Sequence, residues 1–237
     1  MATSGTTRQG SRRHGGRYVY ESLRTQILTL ALRPGAQLDE VSLAEQFELS
    51  RSPVRDALAR LMSEGLVTML PNRTTLVTPL DVKDFPNYIA ALDLIQRAVT
   101  RLAAAYRTED DLQRIRSADE DYLAAVQGGQ DYQLMSEHNK RFHLDIARAG
   151  RNPYFVDHYE RLLGEGQRIL HLQFDFIMRG KNVRKMGCDH KALVDAIERQ
   201  DVEAADAAAH EHTLLFQQRF MAFMEQNVTG DMVIHYP

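Results

Sequence analysis

The apolar residues between positions 17 and 79 follow three short helical repeats and then two short strand-like runs, and this order strongly constrains the fold. The first repeat ends at the helix-stopping segment 33–35 and consists of Tyr20, Leu23, Ile27 and Leu30. The second consists of Leu43, Ala44 and Phe47, and the third of Val54, Leu58 and Leu61. Two strands at 66–70 and 75–78 then flank a turn, which predicts a β-hairpin. Three helices and a hairpin predict a winged helix-turn-helix over residues 17–79.

The start of the third helix carries residues suited to DNA. Ser52 is predicted as its N-cap and Pro53 as its first helical residue. Arg51 and Arg55 lie four residues apart, so they project from one face at the end where a helix attracts phosphate. Arginine can also contact a guanine edge through two hydrogen bonds, and Ser50 and Ser52 can bond phosphates. We therefore expect a recognition helix; the alternative is a pair of surface arginines that only aid solubility.

Charge is distributed in agreement with DNA binding at the N-terminal end. Residues 1–79 contain ten Arg, no Lys and seven Asp or Glu, a net charge of +3, whereas the whole chain carries −3. The remainder therefore carries −6. Polyanions are attracted to the basic segment. A chance asymmetry on a solvated surface is the alternative interpretation.

The rest of the chain has helical periodicity throughout. Six helices are predicted at 84–107, 109–127, 132–149, 153–179, 183–200 and 202–226. We expect an all-α antiparallel bundle over residues 84–226 and hence a mainly α protein. Gly164 and Gly166 predict a bend or break in the fourth of these helices. Residues 1–16 lack periodicity and are predicted to be a disordered arm.

Three of the nine histidines lie on apolar stripes of different predicted helices. His143 shares its stripe with Ile146 and Ala147, with Asn139 one turn earlier, and His190 and His212 face inward from two later helices. Inward-facing imidazoles form either a hydrogen-bonded cluster or a metal site. Periodicity alone favours the hydrogen-bonded cluster.

Residues 17–79 resemble the DNA-binding domain of the GntR family. The resemblance rests on Arg33-Pro34-Gly35, Leu43-Ala44, Ser50-Arg51-Ser52-Pro53-Val54-Arg55, Ala57-Leu58, Leu61, Glu64-Gly65-Leu66-Val67 and Pro71-Asn72-Arg73. It implies that Arg73, in the wing, contacts the minor groove. The family usually has Gly after this Arg, where the chain has Thr74, so the resemblance does not determine the geometry of the wing.

Residues 84–226 resemble the FCD ligand-binding domain of the FadR-like branch of that family. The carrying segments are Asn139…Phe142-His143, Gly150-Arg151-Asn152, His190…Ala196-Ile197 and Asp201…Ala205…His212. The resemblance implies a divalent metal held by His143, His190 and His212, with Asn139 where relatives have Asp. Three imidazoles and one weak oxygen ligand suit Zn or Ni. Many relatives also carry an Arg and a Glu where this chain has Leu92 and Gln96.

These observations together predict a cytoplasmic homodimer that binds double-stranded DNA at an inverted repeat and responds to a small organic acid. A single cysteine agrees with a reducing compartment, and no apolar run is long enough to cross a membrane. A metallohydrolase is the alternative from another class, but the sequence contains neither His-Glu-x-x-His nor Gly-x-Ser-x-Gly. An architectural DNA-binding protein with an inert dimerisation domain is a further alternative. We expect no enzymatic activity.

Overall fold

The computed structural model describes residues 6–79, 82–129, 131–179 and 190–228. It divides the chain between Asp81 and Val82 into two compact units. The predicted fold class is confirmed, because a mainly helical chain carries a two-stranded antiparallel hairpin after its N-terminal helices. No helix in the described ranges is long and apolar enough to cross a membrane.

The N-terminal unit consists of three helices and the hairpin. Its elements are α1 (Thr6–Leu28), α2 (Glu40–Gln46), α3 (Arg51–Ser63), β1 (Val67–Met69) and β2 (Thr75–Val77). The buried stripes of the helices meet in one core that includes Leu23, Ile27, Val54 and Leu61. The segment around Gln37 also lies beside β2, since Gln37 forms an isolated antiparallel bridge with Leu76. The alternation of apolar and polar residues did not predict that a third segment pairs with the hairpin.

Helix α3 begins two residues earlier than the sequence predicted. Its first residue is Arg51 and its N-cap is Ser50, so the prediction of Ser52 as the N-cap was wrong. Pro53 is the third helical residue. That position tolerates proline because the first four N–H groups of a helix have no intrahelical acceptor.

The expected disordered arm is also wrong for residues 6–16, because α1 begins at Thr6; residues 1–5 lie outside the described residues. Two glycines that resemble linker residues instead allow close packing. A Cβ atom on Gly15 would lie 3.1 Å from Cδ2 of Leu49, and one on Gly16 would lie 3.5 Å from the carbonyl oxygen of Pro53. The helix therefore passes closely over the turn that precedes α3.

Every secondary-structure element in the described part of the C-terminal unit is a helix. A short 3₁₀ helix (Val82–Asp84) leads into α4 (Phe85–Tyr106), α5 (Glu109–Gly128), α6 (Tyr132–Ala149), α7 (Pro153–Arg179), α8 (Lys191–Glu198) and α9 (Val202–Val228). Helix α4 packs along α9, and α6 packs between α5 and α7. The predicted helix at 183–200 starts within residues 183–189, which lie outside the described residues.

Local sequence signals account for the helix ends of this unit. Thr108 and Asp111 form a reciprocal capping box at the start of α5, and Gly129 ends that helix with a positive φ of 72°. Helix α7 is continuous from Pro153 to Arg179, so the predicted break at its two glycines does not occur. The alternative, a bend, stays a prediction. The lack of a side chain at Gly166 makes room for Tyr88 from α4.

Candidate functional site

Three imidazoles meet inside the C-terminal unit. His143 lies on α6, His190 immediately precedes α8, and His212 lies on α9. Their ring centroids are 5.1–5.3 Å apart. One ligand nitrogen from each lies within 4.8 Å of the others. Three nitrogen donors at this separation can converge on a single divalent ion.

His190 is held in one orientation by its neighbours. Its ring is 1% exposed and stacks on Phe142, with centroids 3.9 Å apart and planes 11° apart. Its Nδ1 atom lies 2.9 Å from Oδ1 of Asp119. A carboxylate at Nδ1 favours the tautomer with the proton there, which leaves the lone pair of Nε2 available. Asp119 therefore sets which nitrogen of His190 can bind a ligand.

The Nε2 atom of His190 is buried and has no hydrogen-bond partner among the described residues. A buried polar atom left in this state costs about 1–3 kcal/mol. Coordination of a metal ion would remove that cost, because the neutral ring offers its lone pair at Nε2. The donor set of three imidazoles therefore fits Zn or Ni.

The charge state of His143 also suits a metal ligand. Burial lowers its pKa well below the ordinary value of 6.5, and the nearby rings of His212 and His190 lower it further. His143 is therefore neutral at neutral pH, as a coordinating imidazole must be. Asn139 lies one turn earlier on α6 and lines the same cavity. Its amide oxygen can coordinate but brings no charge.

The cavity encloses about 710 Å³, part of which is open to solvent. Its lining contains the three histidines, Asn139, the cationic residues Lys140 and Arg219, and several polar and apolar side chains. Within the described residues, this lining contains no Asp or Glu. Gln96 contributes to the wall, but both ends of its amide are engaged: Nε2 donates to the carbonyl of Ala209 at 2.9 Å, and Oε1 accepts from the hydroxyl of Tyr159 at 2.9 Å.

The second candidate site is the exposed face of α3. Val54, Ala57, Leu58 and Leu61 bury the opposite face in the core. Ser50, Arg51, Ser52 and Arg55 are all exposed. The side chains of Arg51 and Arg55 are 59% and 63% exposed, and both contact the carboxylate of Glu40 on α2. Two guanidinium groups are thus presented together at the N-terminal end of the helix.

The turn of the wing has its left-handed conformation at Arg73 and not at Thr74, where the family usually has Gly. The N–H of Arg73 donates to the carbonyl of Leu70 at 2.8 Å, and the N–H of Thr74 donates to Oδ1 of Asn72 at 3.0 Å. The positive φ, 65°, falls on Arg73 itself and not on Thr74. Arg73 is exposed at the tip of the hairpin in a conformation that normally favours glycine.

Two residues of these sites were missed from the sequence. Asp119 lies four residues after Ile115 and three before Tyr122, on the buried stripe of α5. A carboxylate on an apolar stripe is a detectable signal for a buried partner. Glu40 carried no such signal, because its contact with Arg55 joins two helices whose packing the sequence pattern does not specify.

Two known domain families match the chain. Residues 16–77 match the bacterial regulatory proteins of the gntR family. Residues 88–214 match the FCD domain. The FCD match alone spans more than half of the chain, and it includes all three histidines of the cavity.

Known regulators are similar along most of their length. The chain is 28% identical over 216 residues to the HTH-type transcriptional regulator LutR of Bacillus subtilis, covering 83% of this chain and 97% of that protein. It is 29% identical over 198 residues to the galactonate operon transcriptional repressor of Escherichia coli, covering 74% and 83%. The solved structure of E. coli McbR/YncC, at 24% identity, has the same fold with a TM-score of 0.70 and covers 90% of this chain and 98% of its own. The chain therefore belongs to the GntR family of bacterial transcription regulators and carries an FCD domain after its winged helix-turn-helix.

Proposed function

We propose that the protein binds an inverted-repeat operator as a homodimer, and that a small organic acid in the histidine-lined cavity controls this binding. The observation that carries the sensing half of the proposal is the buried Nε2 atom of His190, which has no hydrogen-bond partner among the described residues and belongs to a cluster of three imidazoles. A folded protein retains such an atom at a cost unless a ligand uses it. The cavity lies directly beside this cluster, and His190 is among the residues that line it.

In this proposal His143, His190 and His212 hold a Zn or Ni ion, with Asn139 as an optional fourth ligand. The ion supplies positive charge and open coordination positions for a carboxylate of the effector. Asp119 keeps Nε2 of His190 available, and burial keeps His143 neutral. The family resemblance supports all four residues, and the donor geometry supports the three histidines.

The chemistry of the cavity wall favours an anionic effector. Lys140 and Arg219 contribute positive charge to the lining. The Nζ atom of Lys140 also lies 3.6 Å from Oε1 of Glu160. Ser136 and Gln167 provide hydroxyl and amide groups for a polar ligand; the Nε2 atom of Gln167 donates to Oγ of Ser136 at 3.3 Å. The name of one relative, a repressor of the galactonate operon, agrees with a hydroxy acid as the class of effector. A hydrolase would need a general base near the metal, and the described lining offers no Asp or Glu for that role.

DNA recognition is assigned to Ser50, Arg51, Ser52 and Arg55 on α3 and to Arg73 on the wing. The arginines suit guanine edges or phosphates, and the serines suit phosphates. Two copies related by a two-fold axis would place two recognition helices about one helical turn of DNA apart, which implies an inverted repeat. Exposure of all five residues supports the assignment.

Metal analysis of the untagged protein, combined with thermal melts before and after chelation, tests the metal site. We expect about one metal ion per chain, a lower melting temperature after chelation, and loss of the metal in His190→Ala. His210→Ala is the matched control, because His210 lies on the same helix as His212 but is 47% exposed and contacts Asp93 at 2.9 Å. Substoichiometric metal in the wild type with an unchanged melt would leave the three histidines as a structural cluster.

Calorimetric titration with small carboxylates, each paired with its neutral amide, tests the class of effector. We expect binding of at least one carboxylate and none of its amide. The same carboxylate should change the affinity for a duplex selected from a random pool by the wild-type protein. Equal binding of acid and amide would contradict an anionic effector.

A further inference from the structure

Glu40 is the first residue of α2 and contacts both arginines of the exposed face of α3. Its Oε1 atom accepts from Nε of Arg55 at 3.2 Å, and its Oε2 atom accepts from Nη2 of Arg55 at 3.0 Å and Nη2 of Arg51 at 3.3 Å. The contact with Arg55 is bidentate and uses one edge of the guanidinium. A single carboxylate thus fixes two side chains that are otherwise exposed to solvent.

Glu40 lies at a capped helix start, and its side chain is less exposed than the arginines that it contacts. Asp39 caps α2, since its Oδ1 atom accepts from the N–H of Ser42 at 2.8 Å and from the hydroxyl of Ser42 at 2.9 Å. The side chain of Glu40 is 28% exposed, about half the exposure of either arginine. The hydrogen bond from Arg55 is the main reason that the pKa of Glu40 lies below its ordinary value, so the carboxylate is charged at neutral pH.

The edge of Arg55 that Glu40 leaves available is the one suited to a base. Guanidinium has five N–H donors, and the contact with Glu40 uses Nε and one N–H of Nη2. The terminal edge formed by Nη1 and Nη2 remains, and this pair of donors matches O6 and N7 of guanine. A long side chain that is already oriented loses less freedom when it binds.

We propose that Glu40 is a specificity-determining residue, which orients Arg55 and Arg51 for base contact and opposes their indiscriminate binding to phosphate. Orientation acts on the ratio of operator to non-specific affinity, because it strengthens only the correct contact. The negative charge of Glu40 weakens attraction to any DNA backbone and therefore lowers both affinities. The inference rests on the proposed role of α3 as the recognition helix.

Binding of two labelled duplexes tests the role of Glu40: one selected from a random pool by the wild-type protein, and a scrambled duplex of the same composition. In Glu40→Ala we expect the ratio of the two affinities to fall by about tenfold, within the range that one bidentate arginine–guanine contact contributes. Glu40→Gln keeps the size of the side chain and an oxygen acceptor, and it should give an intermediate ratio. It also covers the case in which the alanine variant is poorly folded.

Glu45→Ala is the matched control. Glu45 is exposed on the same helix and carries the same charge, but the carboxylate that pairs with Arg51 and Arg55 is that of Glu40. We expect both affinities to rise together in this variant and their ratio to stay unchanged. An unchanged ratio in Glu40→Ala and Glu40→Gln, or an equal fall in Glu45→Ala, would overturn the inference.

Arg55→Ala separates this inference from the proposed function. Loss of operator affinity in Arg55→Ala with a wild-type ratio in both Glu40 variants would refute only the role of Glu40. Wild-type operator affinity in Arg55→Ala would refute the assignment of α3 as the recognition helix, and the role of Glu40 with it.

Discussion

Replacement of Gly166 by alanine probes how helix α7 forms the wall of the cavity. A Cβ atom at this position would overlap the hydroxyl oxygen of Tyr88 and lie 3.3 Å from its Cζ atom. Tyr88 comes from α4, lines the cavity, and donates a hydrogen bond to the carbonyl of Leu162 at 3.0 Å. Gly164 lies two residues earlier on the same helix, and a Cβ atom there would have only Nζ of Lys140 within 4 Å, at 3.9 Å.

The two substitutions should have opposite effects on stability. Alanine in place of glycine inside a helix contributes about 0.5–1 kcal/mol, which Gly164→Ala should gain in full. Gly166→Ala gains the same amount, but overpacking costs about 1–3 kcal/mol. Displacement of Tyr88 also loses its hydrogen bond, worth about 1 kcal/mol. We therefore expect Gly166→Ala to be destabilised by about 1–3 kcal/mol and Gly164→Ala to be stabilised by up to about 1 kcal/mol.

Urea unfolding followed by circular dichroism measures both differences, and Tyr88→Phe completes a double-mutant cycle. Removal of the hydroxyl should relieve part of the cost of Gly166→Ala, so the two substitutions should couple by about 1 kcal/mol. The remaining contact with Cζ at 3.3 Å keeps the relief incomplete. Equal stabilisation in Gly164→Ala and Gly166→Ala, or strict additivity with Tyr88→Phe, would refute the packing role of Gly166.

Three further predictions concern the metal site, the wing and the start of α5. Asn139→Asp should tighten metal binding by about tenfold, because a charged oxygen ligand attracts the ion more strongly, and competition with a chelator of known affinity measures the change. Arg73→Gly should stabilise the fold by about 1 kcal/mol, because glycine adopts the left-handed conformation without strain, yet it should weaken DNA binding. Urea unfolding and operator titration measure the two effects. Unchanged DNA affinity in this variant would refute the assignment of Arg73 as a DNA contact. Asp111, 2% exposed, has a pKa below the ordinary 3.8, since hydrogen bonds from Thr108 and two arginine charges outweigh the effect of burial, which would raise it. The stabilisation by the charged Asp111 is therefore complete above about pH 4 and is lost as the pH falls through the lower pKa of the folded state. Asp111→Asn should lower the free energy of unfolding by about 2 kcal/mol at pH 7. In urea titrations this difference from the wild type should stay constant above about pH 4 and shrink below it.

Periodicity and turn residues predicted most helices because these signals are local. The capping box at Thr108 and the left-handed Gly129 each end or begin a helix without help from the rest of the fold. The same signals failed at Gly15 and Gly166. A glycine in a sequence indicates freedom or a break, but here each glycine makes room for a side chain from another element, Leu49 or Tyr88. That reason is tertiary and has no local pattern.

The sequence predicted the imidazole donors of the candidate site, but it did not predict the residue that orients them. An imidazole on an apolar stripe is visible in the sequence, and His143 proved to be buried as the spacing implied. Which nitrogen of His190 faces the cavity depends on Asp119, 71 residues earlier in the chain. The orientation of Arg55 likewise depends on Glu40 from another helix. Such pairings follow from how the helices pack, which periodicity alone does not determine.

Both sites use a carboxylate from another helix to engage one edge of a functional side chain and leave the other edge for a ligand. They differ in exposure: the side chains of His190 and Asp119 are 1% and 18% exposed, whereas that of Arg55 is 63% exposed. Salt screens exposed charges far more than buried ones. Asp119→Asn should therefore weaken metal binding by about 10–100-fold at any moderate ionic strength, because the loss of orientation is internal. The effect of Glu40→Gln on the affinity ratio should instead diminish between about 50 and 200 mM salt, since the ion pair that orients Arg55 is exposed to solvent and is screened by salt. Chelator competition and duplex titration across this range measure the two effects, and an equal salt dependence would show that the carboxylates do not act by the mechanisms assigned to them.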